Sequence, residues 1–435
     1  YAQTVEMRLA QSCSVVNAGI VSDVRTAREV GDRFVREDVD LIVVHAGTYG
    51  LSRDILPCIR RSDVPVLSLN LQPVSSFDGT SDITQSMGKN PYAISGEIGT
   101  VLRRKGVPFD VVAGRLEDDE PWERVQEWLT AVHMRRRLRH STIGIVGSPY
   151  NGMSDLYGDH LGLMTTFGVN IEFIEPFELR KAVETIDGTE IDKWVERTAS
   201  TFDFDDKVTR GKLKWPAQVA AGMARLREER DLSAMTTHFS GYPGSEEERI
   251  GYSMTLGGCF LYQDGFPAPV EGDAAVCVSL LALEYAGAPA TQGELNIIDY
   301  DAGVNYVNHS GPGNIGAAES RPFLKWLEFF HGKPGQGVSS QFRVRHGDVT
   351  LLTIANNGTA SREGVSSVGT WVERTMLPSG NMNTRVAFPG NDPGRVIEKW
   401  VNNGPTHHVA MAPGRWDGVI DKLTRALGIR HITIE

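Results

Sequence analysis

Short apolar runs alternate with stretches of helical periodicity over the first part of the chain. Residues 13–21 are apolar enough to predict a strand, and residues 23–35 carry apolar side chains at helical spacing. Residues 41–44 are continuously apolar and residues 64–69 are nearly so, which is typical of strands that are buried on both faces. Alternating helices and buried strands predict a parallel, doubly wound sheet.

The same alternation resumes after a basic run at residues 134–140, which we interpret as a solvated helix end next to a domain boundary. Strands are predicted at residues 142–147, 170–174 and 234–239, with a helix near residues 216–230 before the last of them. This region therefore predicts a second αβ section with a parallel sheet.

A nearly continuous apolar segment, Ala274–Tyr285, predicts a helix that is buried on most sides. Glu271 and Asp273 precede it, and Asp273 is suited to cap the free amide groups at the helix start. Because capping requires only one carboxylate, Glu271 is free to face a buried partner such as a cation. The alternative is that Glu271 is simply a second carboxylate at a helix start.

After residue 290 the pattern changes to strands and turns. Residues 337–345 and 349–354 are two β-rich runs joined by a turn signal at residues 346–348. Further β-like pieces at 365–376 and 384–388 precede a helix near 393–402. This pattern predicts a mainly antiparallel C-terminal region.

The complete pattern predicts an α/β protein with two doubly wound parallel-sheet αβ domains followed by a β-rich C-terminal domain. A chain of 435 residues is too long for one ordinary core, which supports such a division. The predicted ranges are 1–140 for the N-terminal αβ domain, 141–288 for the central αβ domain and 289–435 for the C-terminal domain.

Composition narrows the class of protein. Charged residues make up 23% and hydrophobic residues 40%, as in ordinary globular proteins, and the net charge of −11 argues against nucleic-acid binding. The four cysteines are scattered, and neither a membrane-spanning stretch nor a signal-peptide pattern is visible. We therefore expect a cytoplasmic enzyme with a small-molecule substrate and no nucleic-acid or membrane partner.

Two carboxylates and one or two imidazoles form a candidate metal site: Glu271, Glu294, His309, and His407 or His408. This mixture of donors suits Mn²⁺, Co²⁺ or Mg²⁺ better than structural zinc. With two carboxylates beside one open cation, a sugar bound through its C1 and C2 oxygens could lose its C2 proton and pass through a cis-enediol. Hydrolysis by a metal-bound hydroxide is the competing use of these residues.

Several segments carry motifs of a known family. They lie at residues 151–159 and 167–169, at Met-Thr-Thr-His-Phe 235–239, at 265–273 with Glu-Gly-Asp, and at Gly-Pro-Thr-His-His-Val 404–409. These segments resemble the L-arabinose isomerase family, within the wider group that includes L-fucose isomerase. The resemblance extends, with gaps, over most of the chain from about residue 40.

The resemblance implies roles for individual residues. Glu271 stands where the family has a catalytic glutamate that binds metal, and His408 and His309 stand where it has its metal-binding histidines. The family's second glutamate lies in a Phe-Met-Glu-Asp-Tyr motif that this chain lacks. Glu294 is the chosen counterpart, as both metal ligand and catalytic carboxylate, and Asp299 is the alternative, as in the fucose-isomerase branch.

The family's pocket residues match only in part. Gln72, Phe239 and His407 are the candidates for substrate contact, although Gln72 is also explained as a loop residue bonded to nearby backbone. Family members are oligomers in which a neighbouring subunit completes the pocket. The resemblance therefore implies a homo-oligomer, a hexamer or a tetramer.

Taken together, the sequence predicts a metal-dependent aldose–ketose isomerase that acts on a free pentose, hexose or deoxyhexose, with Mn²⁺ as the expected cofactor. Such an enzyme is an intramolecular oxidoreductase. The alternatives are another metal-dependent sugar enzyme on the same scaffold, an epimerase or hydrolase, and a non-catalytic sugar-binding protein.

Overall fold

The computed structural model describes residues 2–76, 82, 92–330, 333–335, 337–356, 362–376, 382–390 and 392–435. The chain forms two compact units, one made of residues 1–136 with 418–430 and the other of residues 137–417 with 431–435. Parallel sheets are followed along the chain by an antiparallel, β-rich region, which confirms the mixed α/β class. The division into three domains stays a prediction.

The first unit contains a parallel sheet in the order β1-β2-β3. Its strands are β1 (Ile42–His45), β2 (Val66–Gln72) and β3 (Phe109–Arg115). Its helices are Ala2–Leu9, Val24–Arg36, Ser52–Ile55, Tyr92–Arg104, most of Asp119–Arg139 and most of Asp417–Leu427, with a 3₁₀ turn at Leu56–Cys58.

Strand β2 is buried on both faces, as its apolar run predicts. Leu67 packs in one core cluster with Trp128, and the preceding residue Val66 packs in another with Ile98. Successive side chains of a strand point to opposite faces, so the sheet has a core on each side. Helices therefore pack against both faces of this sheet.

The strand predicted at residues 13–21 is wrong. These residues, all of them described, form an irregular segment in which the side chain of Ile20 is 89% exposed. The Asn17 side chain accepts a hydrogen bond from the amide of Gly19, which has a φ of +73°. A local Asx turn thus replaces the extended backbone that the apolar content suggested.

The second unit begins with another parallel sheet, in the order β5-β4-β7. Its strands are β4 (Thr142–Gly147), β5 (Asn170–Ile174) and β7 (Ala234–His238), while β6 (Asp203–Phe204) pairs elsewhere. The helices of this part are His160–Phe167, Pro176–Glu184, Gly188–Thr201, Arg210–Glu229, Glu246–Gly251, Thr255–Gln263 and Ala274–Tyr285, with a 3₁₀ turn at Ser154–Leu156. Ala274–Tyr285 is largely buried, as predicted.

The C-terminal region contains a closed ring of six antiparallel strands in the order β14-β17-β8-β9-β16-β15, because β15 also pairs with β14. The ring strands are β8 (Thr291–Asp299), β9 (Val304–His309), β14 (Asp348–Asn356), β15 (Arg362–Trp371), β16 (Met382–Ala387) and β17 (His408–Pro413). β18 (Arg430–Thr433) adds to β15 outside the ring, and the helix Pro393–Asn402 precedes β17.

The two β-rich runs on either side of residues 346–348 do not pair with each other. β13 (Val338–Gln341) instead pairs with β10 (Phe323–Trp326), which also pairs with β6. Both edges of β14 are taken by β15 and β17, so β14 offers no edge to β13. The hairpin predicted around residues 346–348 is therefore wrong.

The remaining short elements are β11 (Phe329–Phe330), β12 (Lys333–Pro334) and the 3₁₀ turn Ile315–Ala317. Among the helices of the described residues, none combines the length and the apolar character that crossing a membrane requires.

Candidate metal centre

Four predicted ligand residues converge in the second unit. Glu271, Glu294, His309 and His408 each place one carboxylate oxygen or ring nitrogen within 4.8 Å of those of the other three. His408 Nε2 lies 3.1 Å from a carboxylate oxygen of Glu271, and His309 Nε2 lies 3.4 Å from one of Glu294. The two Nε2 atoms are 3.3 Å apart. The arrangement could hold one metal ion.

Neighbouring strands of the closed ring position three of these residues. Glu294 on β8 is the register partner of His408 on β17 and of Asn308 on β9, and His309 is the last residue of β9. Directly opposed residues on antiparallel strands have closely spaced Cβ atoms. Strand pairing therefore brings Glu294 and His408 together although they are far apart in the sequence.

Glu271 reaches the cluster from a strained turn. Its φ is +74°, a left-handed conformation that costs a non-glycine residue about 1–2 kcal/mol. Its amide donates to the carbonyl of Thr237, and its carbonyl accepts from the amide of Tyr150. At Gly272 an added Cβ would lie 2.4 Å from the carbonyl oxygen of Ser148, so only glycine fits there. The neighbouring loops thus fix the Glu271 backbone.

Asp273 performs two tasks with its two oxygens. Oδ1 accepts hydrogen bonds from the amides of Ala275 and Val276, so Asp273 caps the helix Ala274–Tyr285 as predicted. Oδ2 accepts from His408 Nδ1 at 3.0 Å. An ionised carboxylate only accepts, so Nδ1 carries a proton and Nε2 is the atom available to a metal. Sequence reasoning found the cap and missed this second role.

His407 is held in a similar way by Asp155. One oxygen of Asp155 accepts from the backbone amide of His407 at 2.9 Å and from its Nδ1 at 2.6 Å. His407 Nε2 lies 3.9 Å from an oxygen of Glu271 and 3.9 Å from an oxygen of Glu294. The side chain is 35% exposed, whereas that of His408 is fully buried. No spacing in the sequence signalled Asp155.

The two buried histidines have opposite protonation tendencies. Burial lowers the pKa of His309 to about 3, so this imidazole is neutral near pH 7. Burial also disfavours the charged form of His408, but hydrogen bonds with Asp273 and Glu271 outweigh it and raise its pKa to about 9. In the metal-free protein one positive charge therefore lies on His408, where a cation would replace it.

The two carboxylates also differ. Burial favours the protonated form of Glu271, but the side chains of His407 and His408 outweigh it and hold its pKa far below the usual range. Burial dominates at Glu294 and raises its pKa. In the metal-free protein the environments of the two carboxylates thus shift their pKa values in opposite directions.

Of the two candidates for the second carboxylate, Glu294 lies in the cluster. Asp299 is the last residue of β8, and its Oδ1 accepts the amide of Ala302 in the turn before β9. Asp299 therefore stabilises a turn, and the geometry favours Glu294.

The other predicted pocket residues have local contacts. Phe239 follows β7 and is half-buried beside Gly147 and Gly251. Gln72 belongs to the first unit, and its Nε2 donates to the carbonyl of Val74 at 3.0 Å, the local bond that the alternative explanation expects. Their roles in substrate binding stay predictions.

A cavity of about 410 Å³ borders the two aspartates that hold the histidines. Its lining includes Asp155, Tyr157, Asp273, Arg362 and Thr406. The cavity thus adjoins the hydrogen bonds that orient His407 and His408, and its walls combine polar and apolar groups.

Comparison with known proteins supports a relationship over most of the chain, although no protein-family model matches it. An L-arabinose isomerase of Nocardioides sp. is 23% identical over 356 residues, which cover 78% of this chain and 69% of the relative. That of Mycolicibacterium smegmatis gives the same values. One from Aeromonas salmonicida is 21% identical over 406 residues, covering 91% of this chain and 80% of the relative. The resemblance to the L-arabinose isomerases is confirmed.

Proposed function

We propose that this relative of the L-arabinose isomerases is a metal-dependent aldose–ketose isomerase. The observation that carries the proposal is the convergence of Glu271, Glu294, His309 and His408 on one point. These residues come from separate segments. Glu271, His309 and His408 stand at positions of the family's metal-binding residues, and Glu294 is the counterpart of its second glutamate although the surrounding motif differs. A set of unrelated polar residues would have no reason to meet in this way.

The residues present fit a divalent cation. They offer one oxygen from each of two carboxylates and one Nε2 from each of two imidazoles, and Asp273 fixes the tautomer of His408. This mixed donor set suits Mn²⁺, Co²⁺ or Mg²⁺, and four protein ligands leave positions for substrate oxygens in a six-coordinate ion. We expect Mn²⁺ to be the preferred ion.

The proposed chemistry uses the two carboxylates as the proton-transfer groups. A bound divalent ion would supply Lewis acidity to the C1 and C2 oxygens of an aldose. One carboxylate takes the proton from C2 and returns it to C1, while the other gives a proton to O1 and removes one from O2. The substrate passes through a cis-enediol and leaves as the ketose. We propose Glu271 and Glu294 for these two roles.

The substrate proposed is a free pentose, hexose or deoxyhexose. His407, Phe239 and Gln72 are the proposed contacts, with His407 supported by the approach of its Nε2 to both carboxylates. We also propose that the active protein is a homo-oligomer in which a neighbouring subunit completes the pocket.

The proposal is tested by incubating chelator-treated protein with free aldoses, including L-arabinose, D-galactose, L-fucose, D-arabinose and L-ribose. Each is assayed with and without Mn²⁺, Co²⁺ or Mg²⁺, and ketose is read by NMR. Metal-restored ketose formation supports the proposal, and deuterium incorporated at C1 in D₂O supports the enediol route. Tight metal binding without turnover of any aldose would contradict the isomerase function and favour another sugar reaction.

A further inference from the structure

We infer that Asp155 is a positioning residue that fixes the His407 ring on the substrate side of the metal centre. The inference rests on the proposed function. It assigns Asp155 to turnover of the sugar and separates it from metal binding, which belongs to the four ligand residues.

Asp155 holds His407 by both its backbone and its side chain. A single carboxylate oxygen accepts both the backbone amide and the ring Nδ1 of His407, so it fixes the main chain and the side-chain torsions together. Asp155 itself lies in the 3₁₀ turn Ser154–Leu156, which the buried side chain of Leu156 anchors to the protein. The ring orientation of His407 is therefore set by a carboxylate in a turn that lies 252 positions away in the sequence.

This orientation leaves His407 Nε2 available to a substrate. The carboxylate can only accept, so Nδ1 keeps its proton and Nε2 becomes the reactive edge of the ring. The distance of 3.9 Å from Nε2 to each of the Glu271 and Glu294 carboxylates is too long for a direct hydrogen bond. A sugar hydroxyl that lies between these groups would come within hydrogen-bonding reach of Nε2.

The adjacent histidine, His408, is also held by an aspartate through its Nδ1, but it differs from His407 in burial. Asp273 holds His408 by Nδ1 as Asp155 holds His407, and the two ring centroids are 4.0 Å apart. His408 is fully buried and faces the cluster, whereas His407 is partly exposed. Burial thus assigns the first to the metal and leaves the second to the substrate.

The test compares Asp155→Ala and Asp155→Asn with the wild-type protein, with Ser154→Ala as a control in the same turn. Metal affinity is measured by calorimetry on chelator-treated protein, and kcat and KM are measured on the sugar found in the substrate screen. For Asp155→Ala we expect kcat to fall about tenfold or more while metal affinity changes less than about twofold. Asp155→Asn should lie in between, because one amide oxygen still accepts, and Ser154→Ala should match the wild type.

A double-mutant cycle with His407→Ala separates positioning from a general structural role. If Asp155 acts through His407, Asp155→Ala should lower kcat no further in the His407→Ala background. An unchanged kcat in Asp155→Ala, an equal loss in both backgrounds, or a loss of metal affinity as large as that of His408→Ala would each overturn the inference. Absence of wild-type turnover would overturn the proposed function as well, whereas an active wild type with an unaffected Asp155→Ala overturns this inference alone.

Discussion

Asp273 and His408 are joined by a 3.0 Å hydrogen bond between Oδ2 and Nδ1, and the other oxygen of the same carboxylate caps the helix Ala274–Tyr285. The Glu-Gly-Asp turn therefore supplies one candidate ligand, Glu271, and the group that orients another. A change at the start of this helix would therefore alter the orientation of His408 in the metal centre.

Asp273→Asn should weaken metal binding about 10–100-fold, as loss of an outer partner of a metal-bound histidine typically does. Asparagine has one acceptor oxygen in place of two, so it can cap the helix or hold His408 Nδ1, but not both. Competition with a chelator measures the effect. The control is Asp187→Asn at the start of Gly188–Thr201, where one oxygen is used for capping. Wild-type metal affinity in Asp273→Asn would contradict the orienting role.

His408→Ala should lower the bound metal content strongly, and His407→Ala should lower it less. The reason is that His408 Nε2 lies in the four-residue cluster, while His407 Nε2 is 3.9 Å from the carboxylates and partly exposed. Elemental analysis after dialysis gives the comparison. The reverse order would show that His407 is the ligand.

Glu271→Gln and Glu294→Gln should each reduce turnover at least about 100-fold, because proton transfer by a positioned carboxylate contributes on that scale. Far-UV circular dichroism should show an unchanged fold. Asp299→Asn is the matched control on β8, since Asp299 accepts a hydrogen bond in the following turn and is not one of the four cluster residues. If Glu294→Gln turned over at a near-normal rate and Asp299→Asn lost activity, Asp299 would be the second catalytic carboxylate in place of Glu294.

Metal binding should release a proton and strengthen with pH up to about pH 9, by about tenfold per unit, because the pKa of His408 is raised to about 9 in the metal-free protein. The stability of the metal-free protein changes with pH in the opposite direction. A raised folded-state pKa stabilises the metal-free protein below the unfolded value near 6.5, and this contribution disappears as the pH rises through 9. Calorimetry in two buffers and denaturant titrations measure both slopes. If the pH dependence of metal affinity or of stability persisted in His408→Ala, that dependence would belong to another group.

Gly272→Ala should destabilise the protein more than Gly287→Ala and should also reduce turnover. Both glycines have positive φ, +73° and +89°, so both substitutions pay the left-handed penalty of about 1–2 kcal/mol. At Gly287 an added Cβ meets nothing within 4 Å, whereas at Gly272 it meets the Ser148 carbonyl at 2.4 Å. The difference between the free energies of unfolding of the two variants, measured in urea, gives the cost of the steric clash at Gly272. Equal destabilisation of the two variants would show that the turn at Gly272 can shift to accommodate an added Cβ.

Local features of the sequence predicted the elements around the site well. The helices Ala274–Tyr285 and Pro393–Asn402 have the predicted boundaries, since each has an aspartate cap and a clear apolar pattern. The buried strands β4 and β5 also have the predicted bounds, because a short apolar run between polar segments leaves little choice. Glu271, His309 and His408 follow from the family resemblance, whereas Glu294 lies outside any matching motif, and no local spacing indicates the four residues as a set.

Interactions between distant segments account for what the sequence did not predict. The partner of β13 depends on which strand edges remain free, and no residue of the 346–348 turn carries that information. Asp155 meets His407 across 252 positions, in a turn whose sequence shows only an exposed polar residue. Residues 13–21 do not form the predicted strand because their apolar side chains are not buried, as the 89% exposure of Ile20 shows.

The ring of strands has a consequence for how the protein acquires its metal. His408 is 99 positions from His309 and 137 from Glu271, and β17 meets β8 only when the chain has brought its last ring strand into place. Such long-range pairings form late and slowly in folding. A chain refolding from denaturant should therefore gain its metal affinity in one of the last kinetic phases, so that metal uptake marks the completion of the fold and cannot serve as its nucleus.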